Sequence, residues 1–257
     1  MCRLFASISR EGSRVDRSVL LGAFFEQSRL HPDGWGMARF TGSGPQVIKE
    51  PVEAGRSALL PEYMGWATEP LLMAHVRKGS VGGSTMENTH PFLGDGWVFE
   101  HNGTFDMMDR VLDELSLESK GKLRGATDSE AFFLLLLQNM RSGENPVTGI
   151  TRTVRFLHGV RGPKTTALNF IMSDGQRLYV LNSAFIRPDY YNMYFLADQE
   201  GRGMIFSSKP LDGTEGWKRL EKHTLMVVDR KLHVQDHRIE CGGLGLLPLL
   251  EQRDISQ

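Results

Sequence analysis

The sequence is poor in cysteine, has no long apolar run and carries no excess of charge of either sign. Two cysteines among 257 residues, Cys2 and Cys241, make a disulfide framework implausible. The longest apolar run, residues 131–137, is far shorter than the ~20 residues that span a bilayer. Thirty Lys and Arg against 31 Asp and Glu leave no surplus of cations for phosphates, which argues against a nucleic-acid ligand.

Metal and targeting signatures are missing as well. The sequence has no CxxC pair and no HExxH motif, which are usual spacings of structural and peptidase zinc sites. We therefore expect neither a metal nor a cofactor. The first residues, MCRLFASISREG, lack the apolar core and the small-residue cleavage site of a signal peptide. This predicts a cytoplasmic protein that acts on a small molecule and binds neither nucleic acid nor a membrane.

The order of apolar patterns indicates the fold class. No internal repeat or Pro/Ser-rich linker divides the chain, so we expect a single domain over residues 1–257. ALNFIMSDGQRLYVLNSA predicts a hairpin that turns at 173–175. Two packed sheets with helices outside would bury the apolar faces, so the pattern alone predicts the α+β class. The other expected strands are 1–9, 46–49, 70–77, 96–101, 194–197, 203–207, 225–229 and 232–236, with a turn running into a strand over 31–40, and the expected helices are 15–30, 58–66, 105–115, 128–140 and 146–158.

Cys2 is the first residue with a chemical role to consider. An initiator methionine is removed when the next residue is small, so the mature chain would begin with Cys2. An α-amine has an unperturbed pKa of about 7.7–8.0, so much of it is a neutral base near pH 7. Nucleophile and base would then lie on one residue, without a separate histidine. Taken alone, a cysteine at position 2 favours the alternative, a small buried hydrophobe in the first strand.

His101-Asn102-Gly103 lies at the end of an apolar strand, just before a predicted helix. A strand end leaves backbone N–H groups unpaired, and the asparagine amide adds a side-chain donor. One side-chain and one backbone N–H are what an oxyanion hole requires. Asn-Gly is also a common turn dipeptide, and by itself that interpretation is favoured.

Arg77 and Asp128 are charged residues at the ends of apolar elements. Arg77 ends the strand LLMAHVR, where a guanidinium could bind a carboxylate in a bidentate fork. Asp128 lies at or near a helix N-terminus, which Thr127 or Asp128 itself could cap. Together the two charges would suit the α-carboxylate and the α-amine of a free amino acid, and pure capping by Asp128 is the structural alternative.

Six motifs occur in order along the first half of the chain: MCRLFA, HPDGWG, AHVRKGS, NTHPF, HNG and TDSE. Together they resemble the class II, N-terminal nucleophile glutamine amidotransferases. The closest likeness is to the stand-alone branch of small glutamine amidotransferases and γ-glutamyl hydrolases. SSKPLDGTEGW, at 207–217, resembles a further segment of that family. The resemblance implies a four-layer αββα sandwich, which agrees with the order of the predicted elements.

The resemblance also implies roles for individual residues. Cys2 corresponds to the nucleophile, and Asn102 and Gly103 correspond to the oxyanion-hole pair. Arg77 matches the arginine that binds the glutamine carboxylate, and Asp128 matches the aspartate that binds the α-amine. These are the roles that the chemistry of the residues suggests.

The segment after Arg77 departs from the family members that are attached to sugar-phosphate synthases. Those proteins carry Arg-Trp-Ala-Thr in the loop that closes over glutamine, whereas this chain has Arg-Lys-Gly-Ser at 77–80. Ser80 keeps the hydroxyl, but the bulky indole is absent. We expect Ser80 to contribute to substrate binding.

Three histidines lie near the proposed site. We expect His90 to contribute to substrate binding, and His90 and His101 to orient loops through hydrogen bonds. Alternatively, His75, His90 and His101 could form a Cys–His hydrolase or a metal site with Cys2, although nothing has ligand spacing.

The sequence thus predicts hydrolysis of the glutamine γ-amide through a thioester on Cys2. One alternative is a γ-glutamyl peptide or amide hydrolase that uses the same site. A non-enzymatic alternative is a glutamine-binding regulatory subunit of a separate synthase, which would bind glutamine without turnover.

Overall fold

The computed structural model describes residues 2–10, 16–143 and 145–240, together with the backbone of 250–253. Met1, whose removal the sequence predicts, and Cys241 lie outside the described residues. The strands of the described part are β1 Arg3–Ser9, β2 Gly34–Thr41, β3 Gly44–Glu50, β4 Leu71–Arg77, β5 Phe92–Gly94, β6 Trp97–Asn102, β7 Asn169–Ser173, β8 Arg177–Asn182, β9 Tyr194–Ala197, β10 Gly203–Ser207, β11 Lys218–Arg219, β12 Thr224–Asp229, β13 Val234–Arg238 and β14 Leu250–Arg253. Its α-helices are α1 Arg17–Glu26, α2 Leu60–Tyr63, α3 Met108–Glu114, α4 Leu117–Lys120, α5 Asp128–Arg141 and α6 Pro146–Val160.

These strands form two antiparallel sheets of seven strands each. The first sheet has the order β11-β9-β10-β1-β4-β2-β3, and the second has the order β14-β13-β12-β8-β7-β6-β5. In the first sheet β1 lies between β10 and β4, so the start of β1 is flanked on both sides. In the second sheet β6 lies between β5 and β7. The two strands that lead into the candidate site are therefore internal ones.

Three separate hydrophobic clusters define the layers. One cluster fills the space between the sheets and includes Leu4 and Ile171. A second packs α5 and α6 on the outer face of the second sheet, and a third packs α1 on the outer face of the first. Because each sheet buries both faces, the order is helix, sheet, sheet, helix. This confirms the predicted four-layer αββα sandwich.

β1 shows why the alternation in its sequence is incomplete. Leu4, Ala6 and Ile8 face the core between the sheets, whereas Phe5 packs on the outer side against Phe24 of α1, with ring centroids 5.4 Å apart. A strand buried on both faces has no need of polar residues at every second position. The alternation of β1 continues to the residue before it, which puts Cys2 on the side between the sheets.

Several predicted bounds are corrected by local contacts. The helix expected from 105 begins at Met108, because the backbone N–H of Phe105 donates to Asp128 and residues before Met108 form a turn. The strand expected from 232 begins at Val234, because Leu232 has a left-handed φ of 65° in the preceding turn. β5 lies between the expected strands 70–77 and 96–101, where no strand was predicted. The Asp-Gly hairpin between β7 and β8 is confirmed, with Gly175 at φ 82°.

Among the described residues, no helix combines the length and the apolar character that crossing a bilayer requires.

Candidate active site

The partly exposed Cys2 lies just before β1. Its thiol donates to the backbone carbonyl of Lys78, with Sγ and O 3.8 Å apart. Burial raises the pKa of the Cys2 thiol, while the hydrogen bond to Lys78 and the charge of Arg77 lower it, and the charge of Asp128 raises it. The thiol therefore needs a proton acceptor before it can act as a nucleophile near neutral pH.

The charges that perturb the pKa of Cys2 identify the charged residues near its thiol. Arg77 and Asp128 both perturb the pKa of Cys2, so one positive and one negative charge lie within electrostatic reach of the sulfur. These residues come from three distant parts of the chain, and they meet because β1 pairs with β4 and because the second sheet packs over the first. The structure thus brings the predicted nucleophile and both predicted charged residues together.

Arg77 is held in place by the loop that follows it. The side chain is buried, and Nη2 donates to the carbonyls of Val81 at 3.0 Å and Gly82 at 3.4 Å. A Cβ at position 79 would lie 2.8 to 2.9 Å from three guanidinium atoms, so Gly79 allows this close wrapping. Both of these hydrogen bonds use Nη2, and guanidinium groups have five N–H donors in total. The loop carbonyls hold the guanidinium of Arg77 through Nη2. A guanidinium held in this way is suited to bind a carboxylate with two hydrogen bonds through its other N–H groups.

Asn102 ends β6 with its side chain between the sheets. The residue is 0% exposed, yet within the described residues neither Oδ1 nor Nδ2 has a hydrogen-bond partner. A buried amide without a partner is costly and requires an explanation such as a bound ligand. A Cβ at position 103 would lie 1.9 Å from the carbonyl oxygen of Ala167, so only glycine fits after Asn102.

Asp128 is the first residue of α5, but it is not the helix cap. The Thr127 hydroxyl caps the helix by accepting from the N–H of Glu130 at 3.2 Å. The Asp128 carboxylate accepts from the N–H of Phe105 at 2.6 Å and from that of Ser129 at 2.9 Å. Asp128 therefore joins the helix N-terminus, which favours a negative charge, to the turn after Gly103. Of the two capping residues that the sequence allowed, the structure selects Thr127.

Ser80 joins the loop after Arg77 to the turn after Gly103. Its hydroxyl lies 2.8 Å from that of Thr104, and the N–H of Thr104 donates to the Thr166 hydroxyl at 2.9 Å. The buried Tyr191 hydrogen-bonds to Thr166, and Cys2 is among the groups that raise its pKa. Neither Thr166 nor Tyr191 was predicted as a site residue, because Tyr191 comes within electrostatic reach of Cys2 only in the folded chain.

Hydrogen bonds were predicted for both His101 and His90, and the structure shows them for His101 only among the described residues. His101 orients its surroundings by hydrogen bonds as expected: Nδ1 lies 2.8 Å from the Ser129 hydroxyl, and Nε2 lies 3.3 Å from Ala167 O. For His90 that expectation is wrong. Its ring nitrogens have no hydrogen-bond partner among the described residues, and the ring stacks on His75 with centroids 4.3 Å apart. His90 is only 3% exposed, so its position indicates packing beside the site.

Burial lowers the pKa values of His75 and His90 well below the usual range, which keeps both imidazoles neutral. Within the described part of the chain, no group of three His, Cys, Asp or Glu side chains is arranged to hold a metal ion. Of the predicted site residues, Cys2, Arg77 and Asp128 lie together, and Asn102 and Gly103 immediately precede the turn that Asp128 holds through the N–H of Phe105.

Comparisons with known proteins identify the family and the fold. A family model described as "Glutamine amidotransferases class-II" matches residues 1–238. The uncharacterized protein MJ1515 of Methanocaldococcus jannaschii is 30% identical over 281 residues, which cover 98% of this chain and 76% of that protein. A solved glutamine aminotransferase class-II domain protein from Silicibacter pomeroyi has a TM-score of 0.70 at 20% identity and covers 94% of this chain and 100% of its own. Glutamine phosphoribosylpyrophosphate amidotransferase from B. subtilis has a TM-score of 0.68 at 15% identity and covers 93% of this chain and 49% of its own.

Proposed function

Since this chain belongs to the class II glutamine amidotransferase family, we propose that it hydrolyses the γ-amide of glutamine through a thioester on Cys2. The observation that carries the proposal is that the Cys2 thiol hydrogen-bonds to the backbone of Lys78, next to the buried Arg77, and lies within electrostatic reach of both Arg77 and Asp128. A cation and an anion beside one nucleophile complement the carboxylate and the ammonium of an amino acid. In this proposal Arg77 binds the carboxylate and Asp128 binds the ammonium.

The first chemical step requires a base, because burial raises the pKa of the Cys2 thiol. Removal of Met1 supplies that base as the free α-amine of Cys2. The amine takes the thiol proton, the sulfur attacks the γ-carbonyl carbon, and a C–S bond forms as the carbonyl oxygen becomes an oxyanion. The Asn102 amide and the Gly103 N–H stabilise this oxyanion in the proposed mechanism.

Collapse of the tetrahedral intermediate breaks the C–N bond. The proton held by the α-amine passes to the leaving nitrogen, which departs as ammonia and leaves a γ-glutamyl thioester. Water then attacks the thioester carbon, the α-amine accepts one of its protons, and glutamate departs as the thiol is restored. Atoms and charges balance without any cofactor.

Intact-mass spectrometry with 6-diazo-5-oxonorleucine, a glutamine mimic that alkylates nucleophiles, tests this assignment. The proposal predicts a chain that lacks Met1 and carries one adduct on Cys2, and a Cys2→Ser variant that gains none. Excess glutamine should slow the labelling, because reagent and substrate share the site. An adduct on Cys241, or labelling of Cys2→Ser, would contradict the proposal.

A second candidate substrate is a γ-glutamyl amide or peptide with a larger leaving group. It is favoured by the exposure of residues 78–80, where small and flexible side chains occupy the loop beside Cys2. Comparison of ammonia release from glutamine with amine release from γ-glutamyl amides distinguishes the two substrates. Glutamine binding without any turnover would instead favour a regulatory subunit of a synthase.

A further inference from the structure

Three buried asparagines lie side by side across neighbouring strands of the second sheet. Asn102 on β6 pairs directly with Asn169 on β7. The register Phe170↔Leu181, continued by one residue, places Asn182 of β8 opposite Asn169. All three asparagines are 0% exposed. Directly opposed residues of an antiparallel pair point to the same face, with Cβ atoms about 4.5–5.5 Å apart. The three amides therefore form a row between the sheets.

Two of these amides have a fixed orientation. Oδ1 of Asn169 accepts from the N–H of Ser183 at 2.6 Å, and Nδ2 of Asn182 donates to the carbonyl of Leu220 at 2.6 Å. A backbone N–H only donates and a carbonyl only accepts, so these contacts define which end of each amide is the oxygen. Within the described residues, the atoms of the row without a partner are Nδ2 of Asn169, Oδ1 of Asn182 and both Nδ2 and Oδ1 of Asn102.

The unpartnered atoms are complementary. Nδ2 of Asn169 carries two hydrogens and belongs to the residue between the two unpartnered oxygens, Oδ1 of Asn102 and Oδ1 of Asn182. The terminal torsion of asparagine is broad, so small rotations can form both hydrogen bonds. Leaving buried donors and acceptors apart costs free energy, which favours those rotations. With its Oδ1 bound by Asn169, Asn102 retains one free group, the Nδ2 donor.

We propose that Asn169 is a positioning residue, and that the amide ladder of Asn102, Asn169 and Asn182 holds the Asn102 Nδ2 toward the reacting carbonyl. This inference rests on the proposed function, because it takes Asn102 as an oxyanion donor. The two ends of an asparagine amide have nearly the same shape. Without Asn169 the amide can flip and present an oxygen to a developing negative charge.

The rest of the segment that leads into β7 supports the same turn. The Ala167 carbonyl lies against Gly103 and 3.3 Å from Nε2 of His101, and the Thr166 hydroxyl accepts from the N–H of Thr104. Backbone and side chains of this segment thus contact Gly103 and Thr104, the first two residues after β6. In the proposed ladder, Asn169 adds the one hydrogen bond that distinguishes the two ends of the Asn102 amide.

Steady-state kinetics of Asn169→Ala with glutamine tests the ladder. We expect kcat to fall by ~10- to 100-fold, less than the ~10²–10³ typical of losing an oxyanion donor outright, and KM to change less than twofold. In an Asn102→Ala background the same substitution should have no further effect on kcat, because it acts only through that amide. Asn139→Ala is the matched control: it removes a buried asparagine whose Nδ2 donates to Thr153 in the helical layer, and it should keep the wild-type kcat.

Asn169→Asp provides a second variant if Asn169→Ala does not fold. It keeps the shape and the acceptor for Ser183 N–H, and its kcat should fall further as pH rises and the carboxyl ionises beside the Asn102 oxygen. Wild-type kcat in folded Asn169→Ala, or an equal loss in the wild-type and Asn102→Ala backgrounds, would overturn the inference.

Failure of the proposed function has a different signature, namely absence of turnover in wild type and in Asn139→Ala. The ladder is then tested by NMR without substrate. Slow hydrogen exchange of the Asn169 side-chain NH₂ supports it, and exchange at the rate of an exposed amide overturns it.

Discussion

Gly103→Ala is the sharpest single perturbation of the proposed oxyanion hole. A Cβ at position 103 would lie 1.9 Å from the Ala167 oxygen and 2.6 Å from its carbonyl carbon, whereas real Cβ contacts are essentially never under 3.0 Å. Both neighbours are backbone atoms, so the turn and the chain before β7 must separate by about 1.1 Å or more. A displacement of about 1 Å can reduce the rate of an enzyme by ~10²-fold. We therefore expect kcat/KM for glutamine to fall by at least ~10²-fold.

The assay is ammonia release from glutamine, with the melting temperature measured on the same samples. Overpacking typically costs about 1–3 kcal/mol, so Gly103→Ala should melt earlier and still be folded at 25 °C. Gly159→Ala in α6 is the matched control, because apart from its chain neighbours and the backbone of its own helix no heavy atom lies within 4 Å of its added Cβ. Helix propensity predicts that this control is as stable as wild type or more so, with unchanged activity. A folded Gly103→Ala protein with kcat/KM within threefold of wild type would refute the reasoning.

Three further predictions concern the charged groups. Arg77→Lys removes the bidentate fork, so KM for glutamine should rise about tenfold or more in initial-rate kinetics, and an unchanged KM would exclude Arg77 from carboxylate binding. Asp128→Asn should raise KM for glutamine while the kinetics with glutaramic acid, which lacks the α-amine, change little; an equal effect on both substrates would argue against contact with the ammonium. Burial lowers the pKa of Lys49 from 10.5 to about 8, so between these values the unfolded chain binds more protons than the folded one. The free energy of unfolding of wild type, measured in denaturant from pH 8 to 10, should therefore rise relative to Lys49→Met, and parallel pH profiles would contradict the assignment.

Several of the site residues that were predicted from the sequence lie at the ends of helices or strands, which the neighbouring sequence indicates. Arg77 ends an apolar strand, Asn102 ends another, and Asp128 begins a helix. The ends of buried elements are where polar side chains can face a ligand, and the neighbouring sequence defines such ends. The order of the six motifs along the chain supports the resemblance to the family, which no single site residue could do.

The site residues that were not predicted from the sequence depend on contacts between distant parts of the chain. Asn169 becomes the neighbour of Asn102 only through the register of β6 with β7. Tyr191, in a loop after β8, comes within electrostatic reach of Cys2. Nothing near either residue indicates this. The hydrogen bonds expected of His90 are missing among the described residues for a related reason: its ring lies buried between His75 and Phe92, in a packing of β4 against the segment before β5 that the sequence does not indicate.

The central claim is that the α-amine of Cys2 acts as the base, and the most direct test compares two forms of one chain. A removable N-terminal tag joined to Cys2 keeps that nitrogen in a peptide bond, and specific proteolysis then frees it. Glutamine hydrolysis should be at least ~10²-fold slower before cleavage, the lower end of the range for a general base, and should appear in step with the mass of the cleaved chain. Full activity of the tagged chain would contradict the account.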